Sequence, residues 1–168
     1  MIPGDSLLAI YLNDHLGGAT GGVELARRAA RENTEGELGA FLARLAEEIE
    51  EDREALLEIM EALEVGRDRV KVAGGWTAEK VGRLKPNGRF TGYSPLSRVL
   101  ELEGLIAGVN GKLALWHSLL QIAPAEPRID SEEVDLLAHR AEGQIEELRR
   151  HHRAAATEVF ADELAARG

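Results

Sequence analysis

Between Val99 and Leu120 an apolar side chain recurs at every third or fourth residue: Val99, Leu102, Ile106, Val109, Leu113, Trp116 and Leu120. That period marks an α-helix burying one stripe, and it returns in three other long stretches. Leu8, Tyr11, Leu12, His15, Ala19, Val23, Ala26 and Ala29 trace a first helix over about 6–32. Leu38, Phe41, Leu42, Leu45, Ile49, Leu56, Ile59, Met60 and Leu63 trace a second over 35–64, and the Val99 stripe belongs to a third over 95–122. Val134, Leu137, Ala141, Ile145, Leu148, His152, Ala155 and Val159 trace a fourth over 131–165. No stretch alternates apolar and polar residues long enough to propose a strand. At 168 residues and 44% hydrophobic, the expectation is one all-α domain spanning 1–168.

The helix ends carry their own signals. Asp5 or Ser6 is placed to cap the first helix, and Thr34 with Glu37 reads as a capping box for the second. Gly66 stands where a C′ glycine would end that helix. Ser94 before Pro95 predicts an N-cap followed by proline at N1, and Asp130 or Ser131 opens the fourth helix. The joints near Asn33 and at PAEPR are short, so helices one and two form one antiparallel hairpin and helices three and four another. The intervening segment, 66–93, is long enough to run the length of a bundle. Thr77 can cap a short helix TAEKVGRL within it, and Trp76, Phe90 and Tyr93 can anchor it. The glycines of GGATGG and Gly104, Gly108 and Gly111 each cost roughly 1 kcal/mol in a helix interior, a cost that close helix approach would offset.

Four long helices with one central crossover resemble the ferritin-like superfamily. The strings YLNDHLGG, EKVGRL, YSPLSRVLELEG and GKLALW are similar to those of a small actinobacterial-type branch of it. The resemblance implies a ferritin-like four-helix bundle with a long ordered crossover containing a short helix. Ferritin-like oxidases hold two irons with a Glu from each of two helices and a Glu-x-x-His pair from each of the others. None of the five histidines here has an acid three residues before it, so that motif is missing. An oxygen-using hydroxylase therefore ranks last.

Counting equally outward from the first bend brings small residues opposite large ones, Ala26 to Phe41 and Gly22 to Leu45, and sets His15 opposite Asp52 inside an otherwise apolar interior. Two readings follow. The imidazole and carboxylate can satisfy one another as a buried structural pair, or they can begin a metal site. A divalent ion wants three or more N/O ligands, so Glu48, Glu103 and His152 are the further candidates, with Fe, Mn or Zn as the ion. The second hairpin's register places His152 beside Glu101 and Glu103. His139 faces away from the core, and His151, at the stripe's edge, is expected on the surface.

The formal charge of −10 argues against nucleic acid and anionic membrane as partners. There is no Cys, so thiol chemistry is excluded, and no G-x-S-x-G or phosphate-loop motif appears. The N-terminal residues lack a basic leader, which makes a cytoplasmic protein the expectation. Enzymatic activity is neither indicated nor excluded, and no small-molecule substrate is specified. From Glu64 to Pro95 seven Lys/Arg oppose three acids, so a basic strap lies on an acidic body. The alternative to a metal protein is thus a non-catalytic interaction module. Its partner surface would be Trp76, Lys80, Arg83, Lys85, Arg89 and Tyr93, or an outer stripe of Leu105, Leu115 and Leu119, with a homodimer as one candidate.

Overall fold

The computed structural model describes residues 2–4, 6–67 and 93–165, apart from the side chain of residue 162. Four helices carry it: α1 (Leu7–Glu32), α2 (Gly36–Ala62), α3 (Pro95–Ile122) and α4 (Ser131–Ala165), with a 3₁₀ turn at Ala123–Ala125. Among the described residues there is no strand, and no helix is long and apolar enough to cross a membrane.

Most ends form as their residue types dictate. Ser6 accepts a hydrogen bond from Ala9 N at 3.1 Å, and Ser94 and Ser97 form a reciprocal capping box ahead of Pro95. Asp130 Oδ1 accepts from Glu132 N and Glu133 N. The two ends of α2 differ from expectation. Glu35, not Thr34, is its N-cap and makes no side-chain cap bond, so the Thr34–Glu37 box is not formed. The turn is taken by Gly36 at φ +64°, a conformation glycine adopts without penalty, and a Cβ on Gly39 would lie 2.5 Å from the Thr34 carbonyl carbon. At the other end Glu64, not Gly66, takes the left-handed C′ position at φ 55°. Val65 N donates to Met60 O and Glu64 N to Glu61 O, the paired bonds of a Schellman motif, with Val65 and Met60 buried together.

Side-chain pairs give the order of packing. Tyr11 meets Ser118, Arg28 meets Glu101 and Asn33 meets Arg98, so α1 and α3 are antiparallel. Arg44 meets Glu147 and Arg140 meets Glu51, so α2 and α4 are antiparallel too. Together with the two hairpins this makes α2 and α3 parallel. The connection leaves α2 where Asn13 Nδ2 donates to Gly66 O at 3.0 Å and re-enters beside Asn33, at the other end of α1. The predicted strap and its short helix, with Trp76, Lys80, Arg83, Lys85 and Arg89, lie outside the described residues.

Leu12, Leu16, Leu42, Leu45, Leu56, Met60, Leu102, Trp116 and Leu148 form the centre of the core. Leu105, Leu115 and Leu119 are buried with them, which corrects their assignment to an outer stripe. α3 packs against both α1 and α4, which is why it buries apolar residues on more than one face.

Candidate functional site

α1 and α3 touch where Tyr11 Oη donates to Ser118 Oγ (3.1 Å) and again where Gly104 lies against Leu25. Between those levels runs a half-enclosed cavity of about 300 Å³. Its walls are Tyr11, Asp14, His15, Gly18, Ala19, Gly22 and Leu25 of α1 and Gly104, Leu105, Ala107, Gly108, Val109, Gly111, Lys112, Leu115 and Trp116 of α3, and Ile49, Asp52, Arg53 and Leu56 of α2 complete it. The surface is predominantly apolar.

The glycines account for the space. A Cβ on Gly104 would come 3.0 Å from Leu25 Cδ2, which fits the expected close approach. A Cβ on Gly22 or Gly111 would meet nothing within 4 Å, so helix packing does not explain those two.

His15 and Asp52 both line this cavity, but no hydrogen bond or ion pair joins them; Arg53 meets Thr20 and Arg27 meets Glu50, so α1 and α2 are shifted from the register that set His15 opposite Asp52. This corrects the expected His–Asp pair. Asp52 is 2% exposed, and its two carboxylate oxygens face Lys112 Nζ and Arg140 Nη2. Lys112 also donates to Gln144 Oε1 at 2.6 Å, and Gln144 Nε2 donates to Glu48 Oε2 at 2.9 Å. An acid stripped of water binds cations more strongly than an imidazole, and two cations were within reach. Burial holds the Lys112 ammonium below its ordinary value, opposed by Asp52.

His15 is left half-buried, edge-on to Tyr11 with ring centroids 4.5 Å apart, and makes no hydrogen bond among the described residues. Burial lowers its pKa against the pull of Asp14, so at neutral pH it is an uncharged donor and acceptor on the cavity wall. Trp116, on the opposite wall, is 1% exposed and its indole Nε1–H has no partner.

The other candidates lie elsewhere. His152 Nε2 is 3.1 Å from Glu103 Oε1, as the second hairpin's register predicts, in a partly exposed contact apart from the cavity. Glu101 is instead buried: Tyr93 Oη donates to its Oε2 at 2.8 Å, and Arg28 Nε lies 2.9 Å from its Oε1. Asn33 Nδ2 donates to Tyr93 Oη at 2.8 Å. Tyr93 is therefore spent on tying the bundle end, which corrects its placement on a partner surface. Burial pushes both its phenol and the Glu101 carboxyl upward. His139 is exposed, as expected, whereas His151 is 7% exposed and stacked on Phe41 at 4.8 Å, correcting its surface assignment.

His15, Asp52, Glu48, Glu103 and His152 thus do not converge. Among the described residues no group of three or more His, Asp or Glu side chains is placed to hold a metal ion. Lys112 and Arg140 on Asp52 already neutralise the one deeply buried carboxylate at this level, so these residues do not fit a dinuclear centre.

Sequence reasoning missed Lys112, Arg140 and Gln144. The signal was present: Lys112 is the only lysine of a largely apolar α3, and Asp52 interrupts an apolar stripe. Two isolated opposite charges facing one core require each other. No family model, curated protein or solved structure matches the chain.

Proposed function

We propose that this chain is a small-molecule-binding bundle of ferritin-like topology that uses its mid-bundle cavity in place of a metal centre. One long crossover joining parallel second and third helices is the ferritin-like order. The observation that carries the reading is Gly22, half-buried on the cavity wall. It costs roughly 1 kcal/mol relative to Ala inside a helix, relieves no contact, and leaves open space where a Cβ would stand. The cavity lies at the lower end of the range for small-molecule sites, roughly 300–1,000 Å³, and its apolar walls with the His15 imidazole among them have the composition of such sites.

Apolar cavities of this kind take up benzene or xenon, so benzene is the first probe. Wild-type protein is expected to gain thermal stability with benzene in a saturable way, and Gly22→Leu to lose the response while remaining folded. A wild-type protein indifferent to benzene, or a Gly22→Leu variant that responds equally, overturns the reading. Stoichiometric Fe, Mn or Zn in untagged protein, lost in His15→Ala, would replace it with a metal-centred one.

A further inference from the structure

Resting on that cavity, the geometry points to a more specific occupant: a single-chain amphiphile with an uncharged polar head, its head at His15 and its hydrocarbon tail running toward Leu25 and Gly104.

Length and shape come first. The lining residues span Tyr11 to Leu25 on α1 and Gly104 to Trp116 on α3, which at 1.5 Å per residue is roughly 15–20 Å of helix. The cavity is therefore drawn out along the α1–α3 seam, a shape that suits an extended hydrocarbon chain better than a compact ring system. From the level of His15 to that of Leu25 is about 15 Å, and an extended chain advances about 1.2 Å per bond, so the tail has room for about twelve bonds.

Polarity is unequal along the channel. Beyond Gly22 the walls are Leu25, Ile49, Gly104, Leu105 and Gly108, with no polar side chain. The polar groups gather at the other end and the middle. There the charges cancel: Lys112 and Arg53 against Asp52 and Asp14. Lys112 is committed to Asp52, and Arg53 to Thr20 and Glu54. A charged head would meet a like charge or an already paired one, whereas a neutral hydroxyl or carbonyl finds the unpaired His15 imidazole.

The test reads Trp116 fluorescence in a Trp76→Phe background while n-alkanols from hexanol to hexadecanol are titrated. Each methylene buried is expected to tighten binding about fourfold up to about twelve carbons and to add nothing beyond. Gly22 stands about 10 Å from the His15 level, room for about eight bonds, so Gly22→Leu should move the cutoff from twelve carbons to about eight. Gly143→Leu, exposed on α4 and in open space, should leave it unchanged. Dodecanoate and dodecylammonium should bind at least tenfold more weakly than dodecanol, and His15→Phe should abolish that preference for the neutral head. Benzene binding without a chain-length cutoff, or a cutoff that Gly22→Leu does not shift, overturns the alkyl-chain assignment and leaves the cavity reading standing. A charged head that binds as tightly as dodecanol overturns the head assignment. Failure of both benzene and every alkanol removes both proposals.

Discussion

Replacing Asp52 by Asn keeps its shape and removes only its charge, which makes it the sharpest perturbation of the mid-bundle network. The side chain is 1% exposed and holds Lys112 and Arg140, whose side chains are 15% and 30% exposed. In Asp52→Asn two cations face each other across a neutral amide with little water to screen them. Breaking a buried pair from one side costs about 3–5 kcal/mol. In a protein of this size each kcal/mol moves Tm by about 2–4 °C, so Tm should fall by roughly 6–20 °C. Lys112→Met should cost less, about 1–3 kcal/mol, because Arg140 still compensates Asp52 and what is lost is a charged hydrogen-bond pair. The triple variant Asp52→Leu/Lys112→Met/Arg140→Met removes every charge at once. It should return to within about 2 kcal/mol of wild type, since apolar replacements of buried ion clusters are commonly neutral or stabilising. Urea denaturation of the four proteins at pH 7 measures all three values. A cost below 1 kcal/mol for Asp52→Asn, or a triple variant less stable than Asp52→Asn, would refute the claim that burial makes this charge set interdependent.

Gly22→Ala and Gly111→Ala should each stabilise the protein by up to about 1 kcal/mol in thermal denaturation, because the new methyl group enters open space; a loss would mean that the helices need contact there. His15 has its pKa below the ordinary 6.5, so the folded state resists a proton that the unfolded chain accepts. Stability is therefore lost as pH falls through 6.5, and His15→Phe should flatten the pH 7 to pH 5 slope in denaturation curves. His151, lowered in the same direction, leaves a residual slope that His151→Phe removes. Tyr93→Phe should cost about 1–2 kcal/mol by taking the donor from a buried Glu101 oxygen, and Glu101→Gln added to it should recover part of that loss by removing the buried charge. His152→Ala should change stability by less than about 1 kcal/mol, its Glu103 contact being largely open to solvent.

The helical architecture was legible because periodicity and caps are local. Ser94–Pro95 states its own geometry, and the 3–4 spacing of α3 needs no partner to be read. The level of His15 against Asp52 was read less well, since Arg53 meets Thr20 and Arg27 meets Glu50, a shift that counting outward from the bend does not foresee. Which neighbour Asp52 chooses was not legible, because that choice is made across the bundle by Lys112 of α3 and Arg140 of α4, and one hairpin's register says nothing of the other's rotation. Tyr93 misled in a similar way: an aromatic in a basic stretch looks like an anchor for a partner until Asn33 and Glu101 are seen beside it. The glycines misled differently. Their spacing suggested close packing, and only the structure separates Gly104, which lies against Leu25, from Gly22, which has open space beside it.

The two seams of the bundle divide the work that makes such a cavity tolerable. Where α2 faces α4, long side chains bridge the gap: Arg44 to Glu147, Gln144 to Glu48 and Arg140 to Glu51 and Asp52. The exposed pairs among them add little stability each, whereas Asp52 is buried, and Phe41 stacked on His151 joins the same two helices. Where α1 faces α3, the five lining glycines forgo helix propensity worth roughly 5 kcal/mol in sum, a large share of the roughly 5–15 kcal/mol that holds a domain folded. Only the apolar packing of α3 against α4 and of α1 against α2 can offset that loss. A chain under selection for stability alone would exchange these glycines for alanine one at a time, gaining at each step where open space awaits the methyl group. Gly22, half-buried beside open space on the cavity wall, puts what the proposed site asks of this chain on the α1–α3 seam and away from the charged one.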